Sequence, residues 1–448
     1  MKTKKPLIQL SDHFTYHKLL RFTFPSIIMM VFTSVYGVVD GFFVSNFAGK
    51  TAFAAINLIM PFIMILGGMG FMIGTGGTAL VSLVLGQNDE EKANRYFSMM
   101  IYLAVIMGVV LSVTGFVFIR PVAAALGATP EMMDDCVLYG RIVIAFTTAF
   151  MLQNVFQSFL IAAERPKLGL AATVAAGVTN MMLDGLFVGA FRWGVAGAAL
   201  ATGLSQCVGG ILPLAYFIRP NTSRLRLVRT RLEIRPLLQA CANGSSELMS
   251  NISASVVSMV YNFQLLKYLG ENGVSAYGVL MYVSFIFVAI NIGYAVGAAP
   301  IVSFHYGAGN EEELKNMFKK SLCLVWGAGV VLTGMAFALA SPLSQIFVGY
   351  DAELLALTRH AFCLFAFSFL FAGFNIFTSS FFTALNNGAV SAAISFMRTL
   401  IFQTASVVIL PLIFGVDGIW WAITAAELFA CMLSAGFLFA RRGKYHYV

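Results

Sequence analysis

The chain has 448 residues, 59% of them apolar and only 11% charged, against roughly 25% charged in a soluble domain. That composition excludes an ordinary water-soluble enzyme. The formal net charge of +8 calls for no nucleic acid, because the basic residues fall in short clusters between long apolar runs, the pattern of a membrane-orientation signal.

The start, Met1–Asp12, is polar and basic, and the apolar run after it is long enough to span a bilayer and stay there. Apolar runs between charge clusters predict twelve helices, at 19–43, 54–85, 97–119, 136–162, 168–191, 195–218, 237–266, 274–304, 317–340, 360–384, 388–414 and 417–440. Each can cross ~30 Å of hydrocarbon at ~1.5 Å per residue. The expected fold class is therefore an all-α membrane protein, since no run shows the alternation of a barrel strand.

Orientation follows from the basic residues. One set of loops carries Lys2, Lys4, Lys5, Lys18 and Arg21, then Lys92 and Arg95, Arg165 and Lys167, and six arginines between Arg219 and Arg235. It continues with Lys315, Lys319 and Lys320 and ends at Arg441, Arg442 and Lys444. These are twenty-one basic residues against six in the other set of loops, which predicts a multi-pass protein of the cell membrane with both termini cytoplasmic. The expected organisation is a cytoplasmic segment 1–18, a first lobe 19–218, a basic linker 219–236, a second lobe 237–440 and a tail 441–448. The linker reads as an orientation anchor beside anionic lipid.

The two halves resemble each other at an offset of 221. Gly76, Ser82 and Gly86 recur as Gly297, Ser303 and Gly307, Pro121 as Pro342, Asn154 as Asn375, and Gly194-Val195-x-Gly197 as Gly415-Val416-x-Gly418. Six helices per half and a cytoplasmic linker give both repeats one orientation. This predicts two pseudo-symmetric six-helix lobes about an axis along the membrane normal with a cavity between them, the architecture of an alternating-access transporter.

Four acids lie deep in apolar runs: Asp40, Asp184, Glu247 and Glu427. A carboxylate at the bilayer centre costs ~2.5–3.5 kcal/mol, so each is expected to be protonated, paired or facing water. Tyr36 and Asp40 share one helix face, as do Asn180 and Asp184, and Thr202 with Gln206 adds a polar stripe on the next helix. Carboxylate, amide and hydroxyl oxygens suit a hard cation such as Na⁺, and the same set can hold a proton. Helix-to-helix glue is the other reading. The second half does not repeat this cluster: Asn180 and Asp184 meet Ile401 and Ala405. Arg398 is the one basic residue well inside a span, and pairing it with Glu247 or Glu427 would relieve both partners. For these three a structural ion pair and a role in substrate or ion handling fit equally. Pro25 removes a backbone hydrogen bond from the first helix and offers a hinge. Gly74-Thr75-Gly76-Gly77 lacks the Lys-Ser/Thr ending of a nucleotide loop and reads as close helix packing. No metal-ligand cluster or Ser/His/Asp arrangement occurs in the spans, so no enzyme, cofactor or metal centre is expected beyond a coupling ion.

At these residues the sequence resembles the MATE family of multidrug and toxic compound extrusion transporters, over essentially the whole chain. Four stretches carry the resemblance: Pro25 with Tyr36-x-x-x-Asp40; Asn180-x-x-x-Asp184 with the run Gly194 to Thr202; Gly244-Ser245-Ser246-Glu247; and Ala299-Pro300-Ile301-Val302-Ser303-Phe304-His305-Tyr306-Gly307. The last two look most like the MepA-like branch of bacterial exporters. The resemblance implies the MATE, or MOP-type, fold. It also implies a rocker-switch exporter of amphipathic, often cationic drugs in exchange for H⁺ or Na⁺, monomeric in the lipid bilayer. It places Asp40, Asn180, Asp184 and Thr202 at coupling-ion positions. Tyr36, Tyr139, Asn154 and Gln157 become cavity or network neighbours, as do Gln206, Glu247, Arg398 and Glu427. Members of the NorM type add a second-lobe site with an acid in the tenth helix, which this chain lacks. A lipid-linked-substrate flippase of the same superfamily is the alternative, although such proteins usually carry more basic cavities.

Overall fold

The structure is a computed structural model that describes residues 8–47 and 50–448. Lys2, Lys4 and Lys5 lie outside the described residues. Its helices are α1 (Tyr16–Phe47), α2 (Lys50–Gly86), α3 (Glu90–Ala125), α4 (Pro130–Ala145), α5 (Thr147–Ala162), α6 (Pro166–Asp184), α7 (Gly194–Ile218), α8 (Ile234–Gly307), α9 (Glu311–Val348), α10 (Ala352–Ala366), α11 (Ser368–Ala384), α12 (Gly388–Phe396), α13 (Gln403–Phe414) and α14 (Val416–Tyr445). A π-helical turn follows α6 at Gly185–Ala190, and another joins α12 to α13 at Met397–Phe402.

Three irregularities reconcile these helices with twelve spans. The 74 residues of α8 would extend about 110 Å as one rod, far beyond a bilayer. It breaks at Gly270, whose φ of 61° and ψ of −149° belong to a region that only glycine adopts readily. The pairs α4–α5 and α10–α11 are single spans bent by 55° and 44°. The residues at the two bends, Phe146 and Phe367, are one repeat apart. The chain is thus a twelve-span protein in two six-helix lobes, with helices reaching farther past the apolar runs than hydropathy alone marks.

The repeat extends to local chemistry. Asp89 and Asn310 cap α3 and α9 in the same way, each side chain accepting the main-chain N–H three residues on, from Lys92 and from Glu313. Gly194 and Gly415 both open the last helix of their lobe with positive φ, 56° and 60°.

The apolar core forks. At the end that carries the basic clusters, residues of both lobes form one core that includes Leu85, Phe97 and Phe159 with Ala298, Val302 and Phe318. At the opposite end it divides, into Ile56, Ile63 and Tyr139 of the first lobe and Tyr261, Val283 and Phe362 of the second. The lobes are therefore joined at one face and separate toward the other.

Glycines permit the junction. A Cβ on Gly86 would strike the Phe304 carbonyl oxygen, and one on Gly307 would strike that of Leu83. These four residues are exchanged by the repeat, so α2 crosses α8 on the pseudo-twofold axis. Deeper in, Gly76 and Gly244 abut each other's helix backbone, which confirms Gly74–Gly77 as a packing element. An N-terminal strap closes the same face: Leu10 and Phe14 are fully buried. The Leu10 N–H donates to Glu164 Oε1 of the first lobe, and the Phe14 N–H donates to Glu313 Oε1 of the second, both at 2.9 Å.

Glycine-to-alanine replacement in an open helix position ordinarily stabilises by about 1 kcal/mol. Gly327→Ala, with nothing within 4 Å of the new methyl, is expected to raise the thermal midpoint. Gly307→Ala is expected to lower it, because the methyl forces the lobes apart. Differential scanning fluorimetry in detergent separates the two.

Candidate functional site

The first-lobe polar residues meet inside that lobe, among α1, α4, α5, α6 and α7. α1 supplies Tyr36 and Asp40 one turn apart. α6 supplies Asn180 and Asp184, the latter wholly buried and set against the π-turn Gly185–Ala190. π-turns widen the helix and recur at functional sites. The Asp40 and Asp184 carboxyls face each other within hydrogen-bonding reach. The Tyr139 hydroxyl, from α4, faces Thr202 of α7, and the Tyr36 hydroxyl faces Gln153 of α5.

Five oxygens of this cluster are buried without a hydrogen-bond partner among the described residues: Asp40 Oδ1, both Asp184 oxygens, Asn180 Oδ1 and Thr202 Oγ1. Gln206 Oε1 and Gln157 Oε1, on the flanking helices, share this state. A buried unmet acceptor costs about 1–3 kcal/mol, more when charged. Two carboxylates in contact also repel each other unless a proton or cation lies between them. The donor set, carboxylate with amide and hydroxyl oxygen, fits either a proton or a hard monovalent cation.

Two predicted neighbours and the predicted hinge have their contacts outside this group. Asn154 donates from Nδ2 to the Gly67 carbonyl at 3.0 Å and ties the fourth span to α2. Gln157 donates to Thr173 Oγ1 at 3.5 Å. Pro25 lies inside α1, which continues as helix on both sides of it.

In the second lobe Arg398 takes Glu427, and not Glu247, as its partner. Arg398, inside the π-turn of the eleventh span, donates from Nε to both oxygens of Glu427 at 2.9 and 3.0 Å, and its Nη2 lies 2.8 Å from Oε1. Asn375 Nδ2 donates to Glu427 Oε2 at 2.7 Å and to the Glu427 carbonyl at 2.9 Å. Glu247 makes no ion pair with Arg398 among the described residues. It is half-buried, between Gly244 and Leu248, which face α2 across the lobe seam.

A family model described as MatE matches residues 25–186 and 248–408, one match in each lobe. The chain belongs to the MatE family. It is 26% identical over 432 residues to a multidrug export protein MepA of Staphylococcus saprophyticus, covering 93% of this chain and 92% of that protein. It is 23% identical over 433 residues to the MepA of Staphylococcus haemolyticus, covering 95% and 94%. A solved outward-facing conformation of a multidrug resistance MATE family transporter of the MOP superfamily superposes with a TM-score of 0.92 at 21% identity, covering 100% of both chains. That likeness supports the two-lobe fold.

Sequence reasoning missed Gln153 in this MatE chain. It is 5% exposed, lies against Gly209 and faces Tyr36. The signal was present: Gln153 and Gln157 are one helical turn apart on the bent fourth span.

Proposed function

We propose that this MatE transporter is a secondary active multidrug exporter of the cell membrane, with both termini cytoplasmic. It exchanges amphipathic, often cationic compounds for H⁺ or Na⁺ and works as a monomer. The observation that carries the reading is the cluster of partnerless oxygens around the Asp40–Asp184 pair, buried within the first lobe. An inward-moving cation satisfies these oxygens and cancels the repulsion of the two carboxylates. Release of that cation to the other side restores two negative charges that attract the next drug cation, and half-buried Glu247 at the seam adds a third. The joined face, with its strap and glycine crossing, is the closed cytoplasmic gate of an outward-facing state, and rocking of the lobes about that crossing gives alternating access. Movement of lipid-linked sugars would call for free basic groups, whereas the deep guanidinium of Arg398 is committed to Glu427.

The test is transport by purified protein in proteoliposomes, with H⁺ and Na⁺ gradients imposed separately. A fluorescent cationic drug is expected to move uphill under one of them, and that gradient names the ion. Drug movement that never exceeds equilibration under either gradient would refute antiport.

A further inference from the structure

The pseudo-symmetry permits a position-by-position comparison of the deep polar sites of the two lobes. Asp40 maps to Tyr261, Asp184 to Ala405, Gln206 to Glu427, and Gly177 to Arg398. In the first lobe Gly177 leaves room for the rings of Phe32 and Tyr36, which a Cβ there would strike. The acids around them keep bare oxygens. In the second lobe the same position carries a guanidinium, and both Glu427 oxygens are filled. Glu427 is 3% exposed, so this internal cation is its charge partner. One lobe presents oxygens in need of a cation, and the other brings its own.

We propose that Arg398 is a tethered counter-ion that keeps the second lobe out of ion coupling, so that removing it converts Glu427 and Asn375 into a second exchangeable cation site. This rests on the antiport reading above. The chemistry is asymmetric: a carboxylate that loses its guanidinium takes up a proton or Na⁺ from the cavity, whereas arginine is charged at every relevant pH. The unmet Asn375 Oδ1, on the amide that already touches Glu427, is an oxygen available to that cation. Arg398 thereby sets how many ions move per drug.

The experiment uses the full-length protein. Ion-to-drug stoichiometry is read from the opposing gradient that nulls drug flux, with H⁺ and Na⁺ arms run separately. Arg398→Leu is expected to raise the ratio by about one ion. Arg398→Lys and the double variant Arg398→Leu/Glu427→Leu are expected to keep the wild-type ratio. An active Arg398→Leu protein with an unchanged ratio overturns the proposal. Where Arg398→Leu does not transport, proton uptake and radioactive Na⁺ binding are counted on the purified variant. One extra cation that drug displaces, and that Glu427→Gln abolishes, upholds the proposal. No extra cation, or one that drug leaves in place, overturns it. These counts do not depend on uphill flux, so failure of wild-type antiport and failure of the tethered counter-ion are distinguishable.

Discussion

Asp184→Asn is expected to reduce gradient-driven drug efflux to the level of protein-free vesicles while the variant inserts and folds normally, and Asp40→Asn is expected to do the same. Asparagine preserves the volume and most of the hydrogen-bonding capacity of aspartate, so the packing around wholly buried Asp184 survives. What disappears is the change of charge. Moving a two-state equilibrium from 1:99 to 99:1 takes about 5.5 kcal/mol of differential affinity. On the antiport reading, that difference comes from two carboxyls in contact, which would repel each other without a cation and bind one strongly. An amide in either place removes the repulsion and with it the preference of the ion for one conformation. Drug binding to detergent-solubilised protein should persist within a few-fold, measured by fluorescence anisotropy, while efflux is lost. Full efflux by both variants would exclude the pair from coupling.

The sequence carried much of this site because membranes make ionisable residues conspicuous. Asp40 and Asp184 stood out as acids in apolar runs, and their spacing from Tyr36 and Asn180 placed those partners on the same faces. The two-lobe fold was legible for a related reason: glycines that allow backbone contact, such as Gly86 and Gly307, must recur wherever the crossing recurs. The choice of partner was not legible. Arg398 could reach Glu247 or Glu427, and it sits in the π-turn Met397–Phe402, which no hydrophobic period announces. A buried amide such as Asn154 reads the same in sequence whether it faces a cavity or ties down a carbonyl, here that of Gly67. The strap was invisible because Glu164 and Glu313 lie in polar loops and helix starts, where acids are ordinary. Their role comes only from where Leu10 and Phe14 fold back.

Glu427→Leu is expected to be the most damaging single substitution in the second lobe, lowering stability by about 3–5 kcal/mol, the range for breaking one partner out of a buried ion pair. It strands a guanidinium whose side chain is 15% exposed and which cannot discharge by losing a proton. Asn375 keeps one bond, because its Nδ2 also donates to the main-chain carbonyl of residue 427. The loss is therefore electrostatic more than architectural. Arg398→Leu is expected to be much milder, since the stranded carboxyl can take up a proton or another cation. Replacing both partners by leucine removes the desolvation of two charges together, and such swaps are often neutral or stabilising. The three variants close a double-mutant cycle, read as thermal midpoints in one detergent at neutral pH. The expected order is Glu427→Leu far below Arg398→Leu, with the double variant at or near wild type. Equal damage from the two single variants would mean that the pair matters for its packing, and the charge asymmetry between the lobes would lose its energetic basis.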